Sequence, residues 1–597
     1  MKHKAVERIA ALRAQMAERG INLYVIPTSD FHASEYVGEY FKAREYITGF
    51  TGSAGTAVIT QTTADLWTDG RYFIQAGRQL EGSGITLRRM GEEGVPKIKD
   101  FIRETIKTGG CIGFDGRVIS AKDGEEYETI AKEKQGTLYT DEDIVGTIWQ
   151  NRPGMSKEPF FILEEQYSGR STAWKLADVR EKIKEAGAQM HILSSLYDIA
   201  WLLNVRGSDI FHVPVVLSYL IITQETCIWF VQEELLTEEQ SAYLAEHKIT
   251  VRPYDSIYDY AAGITAETVL LDEKTVNYRI FRNLPESVKK RKKENPSERL
   301  KAVKNPTEIA NTITAHIKDG VAFTKFMYWL KTHIGTEPIT ELSAAEYLKE
   351  RREEQEHFLD LSFETICAYG ENAAMMHYAA TPEQSAALKP EGFLLVDSGG
   401  HYLEGTTDIT RTIALGPITD EMRRNFTAVL RSNLNLAAAK FLHGCRGANL
   451  DILAREPLWS LGLDYRCGTG HGVGHILNVH EGPNAFRWKQ SRLEDTAVLE
   501  EGMITTDEPG VYIEGAYGIR IENELLCRGA ERNEYGQFLC FETITYAPID
   551  LDAVDPKDMT NREKTLLNDY HKNVYETLSP YMTDAQNRWL KEYTRAI

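Results

Sequence analysis

Residues 392–416 read GFLLVDSGGHYLEGTTDITRTIALG. Leu394, Leu395 and Val396 are the aliphatic run of a buried strand. Ser398, Gly399 and Gly400 supply turn chemistry, and the residues after them alternate enough to be the partner strand. The stretch predicts a β-hairpin or meander, with Asp397 ending the first strand and Asp408 in the second. Strands paired this way can bring two carboxylates to one spot. An Asp directly after Leu-Leu-Val is partly buried and needs a partner, which a cation can supply. Taken singly, each reads more simply: Asp397 as a turn cap, Asp408 as a residue on a solvent face.

Further along, residues 468–483 read GTGHGVGHILNVHEGP. His471 and His475 are four apart, as in the zincin HExxH, but no Glu follows the first His. Gly468, Gly470, Gly472 and Gly474 also argue against a helix there. Glycines crowded around a histidine instead let the backbone pass close to a ligand or metal. His480 comes nine residues after His471. A lone His is usually structural, but three within ten residues amid four glycines are seldom core filling. Residues 500–527, EEGMITTDEPGVYIEGAYGIRIENELLC, hold a strand, MITT, that ends at Asp507-Glu508-Pro509-Gly510. A second strand, GIRIENELL, places Glu522 on one face with Arg520, while Ile519 and Ile521 point the other way. By itself this is equally an ordinary surface hairpin with an Arg–Glu pair. Together, two Asp, two Glu and one His form a hard, oxygen-rich set suited to a pair of divalent ions such as Mn²⁺, Zn²⁺ or Co²⁺. Two such ions roughly 3.5–4 Å apart can share a hydroxide and polarise a carbonyl.

Around this chemistry lies a chain of 597 residues, enough for several cores. Hydrophobic residues make up 42% and charged residues 26%, as in a folded globular protein. The net charge of −20 argues against nucleic acid as a main partner. No apolar run suits a membrane span. The opening MKHKAVERIAALRAQMAERG reads as a first helix rather than a signal peptide. Seven cysteines without a CxxC speak against a disulfide framework and for a reducing, cytoplasmic location.

The expected architecture is α/β (α+β), in three parts: residues 1–156, 157–302, and 303–597 with a helical tail from Asn561. The first two parts read as copies of one α/β unit. Gly20 and Gly187 each close a helix, and strands end at Thr60 and Thr223. The run KKRKKENPSER, residues 289–299, reads as a solvated linker or helix end rather than a nuclear address.

The motifs EPGVY with GIRIEN and GTGHGVGH with VHEGP resemble those of the pita-bread metallopeptidases, and most closely the Xaa-Pro aminopeptidase (aminopeptidase P) family. SDFHASEY, GFTGSAGTAVI and LWTDGRYFIQA extend the likeness to the three-domain, cytosolic type, over nearly the whole chain. The resemblance implies two creatinase-like N-terminal α/β domains before a pita-bread catalytic domain. It implies five metal ligands: Asp397, Asp408, His471, Glu508 and Glu522. One ion would be held by both Asp and Glu522, the other by Asp408, His471, Glu508 and Glu522. Mn²⁺ is the first expectation, with Zn²⁺ or Co²⁺ as alternatives.

The same resemblance implies removal of the N-terminal residue from peptides with proline second, by a metal-bridging hydroxide. His377 and His480 match substrate- and proton-handling histidines, Glu508 a proton carrier, and His471 a residue that also meets substrate. Arg71 matches a position that reaches the bound peptide, and Arg520 would orient carboxylates. A homodimer is implied as well. One position departs from the pattern: the family often has His four residues before the metal His, and here Cys467 stands there, which reads as packing. An Xaa-Pro dipeptidase (prolidase) is the nearest alternative, and a non-catalytic peptide-binding relative or a metal-free creatinase-like enzyme are weaker ones.

Overall fold

The computed structural model describes residues 2–489 and 497–597. The chain packs as two compact units, Met1–Glu164 with Arg170–Ser297, and Glu165–Gly169 with Glu298–Ile597.

The first unit contains two six-stranded sheets of one design. In the first, the strand order is Thr86–Arg89, Ala64–Thr68, Thr56–Thr60, Leu23–Pro27, Cys111–Gly113, Thr137–Tyr139. In the second it is Ile249–Pro253, Cys227–Val231, Tyr219–Thr223, Met190–Leu193, Thr268–Leu271, Lys289–Lys292. In each, the third strand is antiparallel to both neighbours and every other pairing is parallel.

The details repeat too. Leu23 faces Thr60, as Met190 faces Thr223. Arg13 Nε donates to the Thr60 carbonyl at 2.8 Å, and Arg180 Nε to that of Thr223 at 2.9 Å. Helices Lys2–Glu18 and Thr172–Glu185 run out at Gly20 and Gly187, whose φ values are +68° and +69°. Such agreement fits one duplicated unit, as the spacing of glycines and threonines predicts.

The basic run holds the boundary between the units, at Ser297 and Glu298, and runs into a helix as expected, but it begins as a strand rather than as solvated chain. Lys289–Lys292 is the edge strand of the second sheet, and Pro296–Ala302 is a helix. An edge strand pairs through its backbone on one side only, so lysines are tolerated and discourage further pairing.

The second unit contains a 28-residue helix, Pro306–His333. Asn305 caps it through the Thr307 and Glu308 amides, Glu308 closes a capping box, and Pro306 takes the first turn. Its buried face changes character along its length. Thr312, His316 and Asp319 come first, then Phe323, Phe326, Met327 and Leu330. The apolar end joins a core with Leu394, Val396, Ile409 and Ile413, and the polar end is left to meet buried charges.

Two sheets carry the site. One orders Ile366–Tyr369, Phe393–Ser398 and Ile409–Ala414 in antiparallel array. The other orders Lys440–Leu442, Gly536–Thr543, Asn523–Asn533, Ile504–Asp507, Gly470–Gly472 and Glu481–Phe486. Helices Asp420–Ala437 and Gly447–Trp459 cover them, and Asn561–Leu578 forms the expected tail helix. Among the described residues, no helix is long and apolar enough to cross a membrane.

Candidate metal centre

The predicted hairpin forms, with Asp397 opposite Thr410. Asp408 lies just ahead of its strand rather than in it, because the chain before it forms a separate small sheet, in which Gly400–Tyr402 pairs with Phe358–Leu361 and Gly405–Thr406 folds back on His401 and Tyr402. GIRIENELL is likewise two strands. Tyr517–Arg520 pairs with Gly510–Ile513, and Asn523–Asn533 pairs with Ile504–Asp507. Glu522 sits in the two-residue step between them. Its amide donates to the Thr410 carbonyl at 3.1 Å, which brings it to the hairpin. Ile519 and Ile521 go to the core on the other side, as alternation requires.

His471 lies mid-strand in Gly470–Gly472. A Cβ on Gly470 would stand 1.8 Å from the Thr506 carbonyl oxygen, so only glycine permits this pairing. The close approach delivers His471 beside the strand that ends at Asp507, directly before Glu508. His471 Nδ1 is 3.0 Å from the Gly472 carbonyl, which leaves Nε2 as the inward-facing nitrogen. That Nε2 lies 3.5 Å from Asp408 Oδ2 and 3.6 Å from Glu508 Oε1. Ligand atoms of Asp408, His471 and Glu522 all lie within 4.8 Å of one another.

A single guanidinium orders the carboxylates. Arg520 Nη2 donates to Asp397 Oδ2 at 2.5 Å, Nε to Thr410 Oγ1 at 3.2 Å, and Nη1 to the Tyr512 hydroxyl at 2.7 Å. Thr410 in turn donates to Glu522 Oε2 at 2.7 Å. Burial alone would weaken this guanidinium, but Tyr512, Asp397 and Glu508 around it hold it firmly charged.

Whether these residues fit divalent cations can be tested on their charge. Burial, then Glu522 and Asp397, pushes the Asp408 carboxyl well above the usual range. Burial, then Glu508 and Asp397, does the same to Glu522. Burial pushes Glu508 up to about 7, against the pull of Arg520. Asp397 Oδ1 is buried and makes no hydrogen bond. Four carboxylates gather here and Arg520 bonds to just one of them, with Arg487 acting on Glu508 through space, and buried negative charge in this excess calls for cations. Oxygen donors with one imidazole are the set for Mn²⁺, Zn²⁺ or Co²⁺. The residues fit.

The His480 ring is 4.3 Å from that of His471 and at 89° to it. His377 is half-buried on a turn, and the carbonyl just before it, that of Met376, accepts from Arg520 Nη2 at 3.4 Å. Cys467 packs, partly buried, against the core that holds Ile519 and Ile521. Arg71, in the first unit, is bonded to Asp69 at 2.9 Å through both Nε and Nη2, with Glu35 at 3.7 Å. His475 is a tie rather than a neighbour of the carboxylates: Thr312 Oγ1 is 3.2 Å from Nδ1, and the Tyr167 carbonyl is 3.0 Å from Nε2.

Sequence reasoning missed several supporting groups. Glu524 Oε1 accepts the Asp408 amide at 2.8 Å, and its Oε2 is 3.1 Å from His316 Nε2. Glu481, next to His480, is gripped by Lys304 and lies 3.4 Å from Lys301, all three buried. The signal for Thr410 was in plain view. In TTDITRTI, residues 408, 410 and 412 share a face by strand periodicity, and Thr412 bonds both the amide and the carbonyl of Arg520.

Comparison with known proteins agrees with this geometry. The family model for metallopeptidase family M24 matches residues 310–528, and that for the C-terminal region of this peptidase family matches 537–597. Creatinase/prolidase N-terminal domain models match residues 8–142 and 151–308. Aminopeptidase P2 of Arabidopsis thaliana is 38% identical, covering 99% of this chain and 88% of its own. This chain belongs to the Xaa-Pro aminopeptidase family of metallopeptidases. A probable Xaa-Pro aminopeptidase P of Paracoccidioides brasiliensis is 36% identical, over 99% of both chains. The crystal structure of the X-prolyl aminopeptidase of Caenorhabditis elegans, described as a cytosolic enzyme with a di-nuclear active site, superposes with a TM-score of 0.94. It is 32% identical, over 99% of this chain and 100% of that one. The Xaa-Pro aminopeptidase family fold, two creatinase-like N-terminal domains before a pita-bread domain, is therefore the fold of this chain.

Proposed function

We propose that this metallopeptidase releases the N-terminal residue of peptides with proline in second place, at the centre formed by Asp397, Asp408, His471, Glu508 and Glu522. The observation that carries this reading is the closure of Asp408, His471 and Glu522 to within 4.8 Å, beside an unbonded Asp397 oxygen. Asp397, Asp408 and Glu522 would hold one cation. Asp408, His471, Glu508 and Glu522 would hold the other. When bound, the cations supply Lewis-acid polarisation of the carbonyl and a lowered pKa for water.

The chain's own groups do the rest. Glu508 takes the attacking water's proton and returns it to the leaving nitrogen. His377 donates to the oxygen on which negative charge develops, and His480 lines the proline side with it. Asp397 receives the substrate's free amine. Arg520 keeps Asp397 and, through Thr410, Glu522 in place. A prolyl nitrogen carries no N–H, so a site without an acceptor there accepts proline and leaves other residues with an unpaired donor. Mn²⁺ as the working metal, a homodimer, a cytosolic location, peptide contact by Arg71, and the division at 156/157 and 302/303 belong to the same reading.

The test is hydrolysis of Arg-Pro-Pro, Arg-Pro and Arg-Ala-Ala by EDTA-stripped protein, with and without Mn²⁺. Metal-dependent release of Arg from Arg-Pro-Pro, with Arg-Ala-Ala intact, is expected. Cleavage of Arg-Pro alone would replace this reading with a dipeptidase, and no cleavage with any divalent ion would remove it.

A further inference from the structure

His377 stands in a segment that leaves strand Ile366–Tyr369 and comes back beside the start of helix Glu341–Glu353. There Glu341 N–H donates to the Ala386 carbonyl at 3.0 Å, and Leu388 N–H to that of Ile339 at 2.8 Å. Between these anchors the segment has one short helical turn, Gly370–Ala374, and otherwise no regular structure to hold it.

Glu341 is fully buried and sits in the first turn of its helix, where a carboxylate is favoured. Both of its oxygens are saturated by donors from that segment. Oε1 accepts from the Tyr369 amide at 2.7 Å and from Asn372 Nδ2 at 3.0 Å. Oε2 accepts from the Ala386 amide and from the Tyr378 hydroxyl, both at 2.8 Å, the one phenolic proton being shared with the Gln384 carbonyl of the same segment at 2.7 Å. These donors come from the beginning, middle and end of the segment, and all are neutral. Tyr378 comes directly after His377. Burial, then the Glu341 carboxylate, pushes the Tyr378 phenol upward, so it remains a donor. A second clamp comes from strand Tyr517–Arg520. Arg520 holds the Met376 carbonyl, and a Cβ on Gly518 would come 1.9 Å from that of Ala373.

A buried carboxylate satisfied by neutral donors is a costly way to secure a loop, since apolar packing would hold one without desolvating a charge. What it adds is a defined geometry, because charge-assisted hydrogen bonds are short and directional. The residue so defined is His377. We infer that Glu341 is a positioning residue for His377, gathering the 369–386 segment so that the imidazole is held at one place beside the carboxylate centre. The inference rests on the role proposed above for His377.

Glu341→Gln keeps the shape but turns one acceptor oxygen into an NH₂ that cannot receive the Ala386 amide. Tyr378→Phe removes the hydroxyl that meets Glu341, the Gln384 carbonyl and Asn372, and leaves the carboxylate its other three donors. Both should bind Mn²⁺ in the wild-type amount, because neither touches the five proposed ligands. For Arg-Pro-Pro, Glu341→Gln should lower kcat by about 10–100-fold with KM within about threefold, the pattern of an interaction realised in the transition state. Hydrogen exchange should quicken in residues 369–386.

The deciding measurement is a double-mutant cycle. If Glu341 acts through His377, adding Glu341→Gln to His377→Ala should cost less than about twofold further in kcat. Multiplied losses, or lost metal in Glu341→Gln, would overturn the inference and leave Glu341 a structural residue. Full activity in His377→Ala alone would instead overturn the role proposed for His377.

Discussion

Arg520 Nη2 lies 2.5 Å from Asp397 Oδ2 and leaves Oδ1 of the same carboxylate buried and without a hydrogen bond. One oxygen is fixed and the other remains for a cation. The same guanidinium also reaches Thr410, Tyr512 and the Met376 carbonyl, a set that a planar fork can serve and an ammonium cannot. Arg520→Lys keeps the charge and loses the geometry. It should weaken Mn²⁺ binding by about 10–100-fold, measured by titration against a competing chelator. Unchanged affinity would mean that Arg520 contributes charge alone.

Thr410 is the relay between Arg520 and Glu522, accepting from one at 3.2 Å and donating to the other at 2.7 Å. Thr410→Val preserves volume but strands both partners in a buried setting. A loss of about 1–3 kcal/mol in unfolding free energy is expected, along with a drop in kcat. Thr410→Ser retains the hydroxyl and should recover most of both. If Ser behaves like Val, the methyl group rather than the relay is what matters.

The raised carboxyls make metal-free stability depend on pH. Asp408 and Glu522 are pushed well above the ordinary carboxylate range and Glu508 to about 7, so the folded, metal-free chain binds protons that the unfolded chain has released. For acids shifted upward, stability is greatest below the unfolded pKa and falls as pH rises towards the folded one. Metal-free protein should therefore lose thermal stability between about pH 4.5 and pH 7. Cations take the place of those protons, so the gain in Tm on adding Mn²⁺ should grow from about pH 5.5 to pH 8. Calorimetry at matched ionic strength reads this directly. A gain independent of pH would show that the carboxylates are already ionised without metal.

How much the sequence reveals depends on the range of each interaction. Asp397 after Leu-Leu-Val, the glycines around His471 and the Arg520–Glu522 alternation are local patterns, and local periodicity locates them. The duplicated sheet was legible because the helix-closing glycines, Gly20 and Gly187, and the strand ends, Thr60 and Thr223, keep the same order along the chain. Glu524, His316, Glu341 and the Lys301–Lys304–Glu481 cluster were not legible. Their partners lie in other elements, and each alone reads as a surface charge or a helix residue. Asp408–Glu524 spans 116 positions, and Lys304–Glu481 spans 177. The basic run misled for a related reason. Lys289–Lys292 has no alternation to mark a strand, and only pairing with Thr268–Leu271 makes it one.

The tail helix, silent in the sequence, is tied to the centre through Arg411. This buried guanidinium donates to the Glu522 and Thr410 carbonyls at 2.6 and 2.8 Å. It also reaches Asn523 Oδ1, and its Nη2 donates to the Tyr570 hydroxyl at 2.7 Å. Tyr570, on helix Asn561–Leu578, passes its own proton to the Ala547 carbonyl at 2.7 Å. The tail thus closes a bond network whose other end is the backbone of Glu522. Tyr570→Phe removes one link and leaves Arg411 its backbone carbonyls and Asn523, so the fold should survive with about 1–2 kcal/mol less stability in urea unfolding. If the network positions Glu522, the variant should also bind Mn²⁺ more weakly than wild type at equal folded fraction. A stability loss with unchanged metal affinity would make the tail a brace for the core alone.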